Sequence, residues 1–101
     1  MTIVKAGKAS ELKPGQMKIV GAGRTEIALC NVAGQFYAIE NICTHDDGPL
    51  GEGCLIGGEV ECPRHGARFD VKTGQATKMP AIAPVKTFPV RVEGEEVVVE
   101  A

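Results

Sequence analysis

Two short clusters of metal-ligand residues constrain this chain more than anything else in it. The first reads Cys43-Thr44-His45 and the second Cys62-Pro63-Arg64-His65-Gly66, with sixteen residues between His45 and Cys62. Together they hold both histidines of the chain and two of its four cysteines. Each pair is compact enough to approach one metal centre, and the intervening loop lets both pairs face the same point. Thiolate combined with imidazole suits zinc, copper or iron-sulfur clusters and excludes oxygen-ligated calcium or magnesium sites. A lone cysteine or histidine in a small domain is ordinarily core or surface. A chain with only two histidines that sets each of them beside a cysteine, at ligand spacing, is a different case.

The rest of the sequence reads as scaffold made of short strands. Thr2 to Ala6 is a first strand, and Ser10-Glu11-Leu12-Lys13 makes one helical turn that Pro14-Gly15 ends. Met17 to Val20 is a strand broken by Gly21-Ala22-Gly23. Arg24 to Val32 and Gln35 to Asn41 both alternate around Ala33-Gly34, which predicts a hairpin. Beyond the second cluster, Ala67 to Val71 is a short strand followed by a turn at Lys72-Thr73-Gly74. Met79 to Pro84 is a loop, because its two prolines remove backbone donors. Val85 to Val92 and Glu95 to Glu100 then form a second hairpin around Glu93-Gly94, with Phe88, Val90 and Val92 on one face. Many short strands, frequent turns and no long helical period predict an all-β sandwich or barrel.

At 101 residues the chain is one domain, 1–101, that can bury roughly 60 to 70 % of its unfolded surface. A bound metal would help hold so modest a core together. A net charge of −2 with interspersed acids and bases argues against nucleic acid as a partner, and charge offers no membrane patch. The first eight residues show neither a long apolar core nor twin arginines, so no signal peptide or membrane anchor is expected and the reading is cytoplasmic. Cys30, in an apolar alternating run, is a small core residue. Cys54 lies in the loop between the clusters, and in a reducing compartment a Cys30 to Cys54 disulfide is not expected. Glu93, Glu95 and Glu96 are a solvated hairpin end. Arg64, Lys72 and Lys78 could offer a surface to an acidic partner, and Arg68 could orient the cluster loop.

C-x-H, a gap of this length, then C-x-x-H is similar to the signature of the Rieske 2Fe-2S family. Gly48-Pro49-Leu50, Pro63, Gly66, Phe69-Asp70 and Thr73-Gly74 also resemble the family, over about residues 36 to 90. The resemblance implies one Rieske-type 2Fe-2S cluster, with Cys43 and Cys62 on one iron and His45 and His65 on the other. It implies an antiparallel β-sandwich carrying a small cluster-binding subdomain of about residues 42–69. It also implies a proline-containing loop, here Pro80 to Pro84, packed over the cluster. The disulfide of the membrane-anchored respiratory members is not expected, since Arg64 holds the second-cluster position and Asp46, Asp47 and Gly48 follow His45.

Two neutral histidines in place of two thiolates leave the oxidised centre uncharged, so an added electron costs less than in a four-cysteine cluster. Such centres span about −150 to +300 mV, against roughly −400 mV for plant-type ferredoxins. High-potential members carry hydroxyls at the positions of Ala67 and Phe69, and both residues here lack one. Asp46 and Asp47 would further disfavour the electron, so the low end of the range is expected. A low-potential carrier of this size resembles the ferredoxin component of bacterial ring-hydroxylating oxygenase systems. Such a carrier takes single electrons from a flavin-dependent reductase and gives them to a terminal oxygenase, itself a monomer that must dissociate between partners. It is not a catalyst alone, because no histidines remain for a mononuclear iron triad. Two alternatives stand beside this reading: the small subunit of an assimilatory nitrite reductase, and a structural zinc module using the same four residues.

Overall fold

The computed structural model describes residues 3–44, 48–64 and 66–101. Among them the regular structure is strand, with two single turns of 3-10 helix at Ala9–Glu11 and Leu50–Glu52. The strands are β1 (Ile3–Lys8), β2 (Met17–Ala22), β3 (Thr25–Val32), β4 (Gln35–Glu40), β5 (Cys54–Ile56) and β6 (Glu59–Glu61). They continue with β7 (Arg68–Asp70), β8 (Ala76–Lys78), β9 (Thr87–Phe88), β10 (Val90–Glu93) and β11 (Glu96–Glu100). They form three antiparallel sheets ordered β1-β11-β10, β2-β3-β4-β9 and β5-β6-β7-β8.

The middle sheet is the wall on which the other two are built, and β3 shows why. Its residues Ile27 to Asn31 are buried without interruption, which a strand achieves only when both faces of its sheet are covered. Ile27 and Leu29 pack with Ala6, Phe88, Val97 and Val99 on the side of the β1-β11-β10 sheet. Ala28 and Cys30, one residue out of phase, pack with Val60 and Phe69 of the small third sheet and with Val71 just beyond β7. Alternation along one strand therefore feeds two cores.

The all-β class and the β3–β4 hairpin follow the expectation. Ala33 and Gly34 turn with φ of 51° and 92°, and the Asn31 Oδ1 accepts the Gly34 N–H at 2.9 Å. The Met79–Pro84 segment holds no strand, as its prolines require. Other boundaries differ. The first strand runs on to Lys8, Thr2 lies outside the described residues, and the helical turn comes at Ala9–Glu11 rather than Ser10 to Lys13. Gly21-Ala22-Gly23 does not break β2, because Gly21 pairs with Glu26 and Ala22 with Thr25. Val85 to Val92 is not one strand: Pro89 has no N–H to give, and the chain changes sheets there, β9 pairing with β4 and β10 with β11. Phe88 and Val92 consequently do not share a face, Phe88 being buried and Val92 47 % exposed. Cys54 lies on β5 rather than in a loop. No helix among the described residues is long and apolar enough to cross a membrane.

Candidate metal centre

The two ligand-type loops are built alike. In the first, the Cys43 N–H donates to the Gly48 carbonyl at 2.7 Å; in the second, the Cys62 N–H donates to the Ala67 carbonyl, also at 2.7 Å. Each cysteine thus closes a loop of the same size by bonding to the carbonyl five residues ahead, with its histidine inside that loop. The second loop joins β6 to β7. Its neck is held by Arg68, whose Nε donates to Glu61 Oε2 at 3.0 Å, with Glu59 Oε1 3.9 Å from the guanidinium. Gly66, at φ 73°, turns the chain back and donates to the Cys62 carbonyl at 3.2 Å. The orienting role expected for Arg68 rests on this neck.

Cys43 and Cys62 come from separate loops yet belong to one buried apolar cluster with Leu50, Val60, Ala67, Phe69 and Val71. Neither is in a disulfide, and they are buried to 0 % and 1 % exposure. Two buried thiols outside any disulfide, brought into one cluster on loops that each carry a histidine in sequence, are the donor set a soft metal centre requires. The residues present therefore fit a cluster bound between the loops. His45, His65, Asp46 and Asp47 lie outside the described residues. A third loop reaches the same place. The Thr44 hydroxyl, between Cys43 and His45 in sequence, donates to the Ala83 carbonyl at 2.7 Å, and Ala81 and Val85 are buried in the same core. This tie supports the role expected for Pro80 to Pro84. Close packing behind it is visible at Gly74, where any side chain would collide with the Val85 carbonyl.

The remaining cysteines divide as the sequence suggests. Cys30 is fully buried on β3, burial pushes its thiol up to about 12, and it is a core residue. Cys54 is exposed and free, so the two form no disulfide. Ala67 and Phe69 are both fully buried. Neither offers a hydroxyl to the neighbouring loop. Sequence reasoning missed Asn41, which is buried two residues before Cys43 and bonded in three directions. It also missed Gly51 and Gly53, although a Gly-x-Gly between the clusters is a signal of close backbone approach.

With fold and site in view, the comparisons are decisive. Residues 2–89 match the Rieske [2Fe-2S] domain, and the chain belongs to that family. The cofactor of the family is a 2Fe-2S cluster of Rieske type, which sets the structural zinc reading aside. The chain is 41 % identical over 100 residues to the ferredoxin component of biphenyl 2,3-dioxygenase from Rhodococcus jostii strain RHA1, covering 99 % of this chain and 94 % of that one. The ferredoxin in a complex of reduced oxygenase and oxidized ferredoxin of carbazole 1,9a-dioxygenase superposes with a TM-score of 0.93 at 40 % identity, over 96 % of this chain and 91 % of that one. A putative NADH-dependent nitrite reductase small subunit from Mycobacterium tuberculosis has a TM-score of 0.86 at 20 % identity, over 97 % and 93 % of the two chains. At that identity the likeness is one of fold.

Proposed function

We propose that this chain is a low-potential one-electron carrier, passing electrons from a flavin-dependent ferredoxin reductase to a terminal oxygenase in the cytoplasm. Cys43, His45, Cys62 and His65 are its cluster ligands. The observation that carries the ligand reading is the convergence of two buried thiols from two similarly closed loops in one apolar cluster. The partner reading rests on likeness over nearly whole chains to ferredoxin components of oxygenase systems. The chain works as a monomer and has no catalytic residues of its own.

When bound, the cluster supplies a single reversible electron at a centre whose oxidised form is uncharged. The chain's residues do the rest. Cys43 and Cys62, both buried, would hold one iron of the cluster away from water, and His45 and His65 would hold the other and offer the route for the electron. The apolar wall of Leu50, Val60, Ala67, Phe69 and Val71 excludes water from the thiolate side. Ala67 and Phe69 present only carbon to the loop they border, so these two positions give no side-chain hydrogen bond to stabilise an added electron. The potential therefore belongs at the low end of the Rieske range, about −150 mV.

The test is an anaerobic reconstitution with the reductase and terminal oxygenase of the source organism. The chain should be reduced by the reductase and then reoxidised on mixing with excess oxygenase, and oxygenase turnover should stop when it is left out. Turnover that proceeds equally well without it would refute the role.

A further inference from the structure

Between the two ligand loops runs the single turn Leu50–Glu52, ending at Gly53, and it touches both. Toward the first loop, the Gly51 N–H donates to Asn41 Oδ1 at 2.6 Å. Asn41 is 4 % exposed and precedes Cys43 by two residues. Its other groups point back into the middle sheet: its N–H donates to the Glu26 carbonyl at 2.8 Å, and its Nδ2 to Glu26 Oε1 at 3.3 Å. Gly51 has no room for a side chain, since a Cβ there would lie 2.8 Å from Ile19 Cδ1 and Cγ1 and 3.1 Å from Asn41 Oδ1. Toward the second loop, a Cβ on Gly53 would run into the Glu61 carbonyl and come within 3.2 Å of Pro63 Cδ, the residues on either side of Cys62. Leu50, fully buried among the cysteines, fills the space between.

We propose that this turn is a spacer that sets the separation of the two ligand loops, with Asn41, Gly51 and Gly53 as positioning residues for the cluster. The physical basis is the nature of the contacts. A flexible side chain yields when crowded, whereas the Glu61 carbonyl belongs to the β6–β7 hairpin and moves only if Cys62 moves with it. On the other side Asn41 fixes the turn to the same backbone from which Cys43 departs. At Gly53 the contact is backbone to backbone, so one methyl there becomes a displacement between Cys43 and Cys62; at Gly51 a methyl would press on the Ile19 side chain and on the Asn41 amide that ties the turn to the first loop. Gly51 and Gly53 carry no positive φ, so close approach and not backbone conformation is what demands glycine there.

The inference rests on the ligand assignment above, and the experiment separates the two. Variants of the cluster-loaded protein are compared with wild type by visible circular dichroism, reduction potential and the half-life of the cluster in excess chelator. Gly53→Ala should shorten that half-life about tenfold or more and alter the dichroism. Asn41→Ala should shorten it about fivefold through loss of the buried hydrogen bonds. Gly51→Ala should act in the same direction but more weakly than Gly53→Ala, and recover when combined with Ile19→Ala, because the atoms it meets on that side are those of a half-exposed side chain. Gly58→Ala, in the same sheet region but with open space around it, should match wild type. Wild-type spectra and half-lives in Gly53→Ala and Asn41→Ala would overturn the spacer. So would an effect of Gly51→Ala that Ile19→Ala fails to relieve. Should Gly53→Ala not fold, Asn41→Ala and the Gly51/Ile19 pair still decide. Cys62→Ala tests the ligand assignment alone: a native cluster retained there means that assignment has failed, whatever the glycine variants do.

Discussion

The two ends of this molecule are held together by different physics. At the base, long strands pair in register and bury Ile27, Leu29, Val97 and Val99 between two sheets. At the tip, strands β5 to β8 are three residues each, and the ligand loops are fixed by single backbone hydrogen bonds, one hydroxyl tie and glycines packed against carbonyls. A base of the first kind tolerates change gradually, in proportion to the apolar surface lost. A tip of the second kind depends on exact approach and on the cluster itself, since metal-binding free energy is folding free energy. Stability belongs to one end and redox function to the other, with Cys30 and Ile39 of the middle sheet contributing to the core that backs the loops.

The most severe break in that division is loss of a ligand. Cys62→Ala or His45→Ala should abolish the native visible spectrum and the reversible redox wave, while far-ultraviolet dichroism keeps its strand signature. Next come two deletions of similar size at opposite ends. Leu29→Ala should cost about 2–5 kcal/mol in chemical denaturation with the potential unchanged. Phe69→Ala should cost about 3–5 kcal/mol and also speed cluster loss, because Phe69 lies in the same buried cluster as Cys43 and Cys62. Equal effects of the two on the cluster would erase the distinction. A smaller change sharpens it: Ala67→Ser with Phe69→Tyr should raise the potential by roughly 40 mV for each hydroxyl that donates to the reduced site, about 1 kcal/mol apiece. An unmoved potential in voltammetry would remove the basis for the low-potential assignment. The smallest expected effect is chemical labelling of the holo protein. Iodoacetamide should modify Cys54, which is exposed, and leave Cys30, which is buried with its thiol pushed up to about 12. Mass spectrometry of the intact protein should show one adduct, with potential and stability unchanged.

How much of this was legible in the sequence differs between the same two ends. The base could be read because β3 and β4 are long enough for alternation to show and Ala33-Gly34 marks their turn. The proposed ligand residues stood out because thiols and imidazoles at fixed spacing carry their chemistry openly. The small sheet was mostly invisible, since a three-residue strand is too short to display a period of two. Only β7 was anticipated, as part of Ala67 to Val71. Pro89 was read as a residue inside a strand when it is the point where the chain leaves one sheet for another. Asn41 gave no local signal at all: its three partners lie on Glu26 and Gly51, ten or more residues away in sequence. The Gly51-Glu52-Gly53 pair was there to be noticed, but what it approaches is decided by tertiary structure.

The central claim is that this chain is a low-potential, one-electron carrier built around a Rieske cluster, and direct voltammetry of the purified, cluster-loaded protein tests it most directly. The account predicts a reversible one-electron wave near the low end of the Rieske range, about −150 mV. A wave several hundred millivolts higher, or no wave from fully metallated protein, would contradict it.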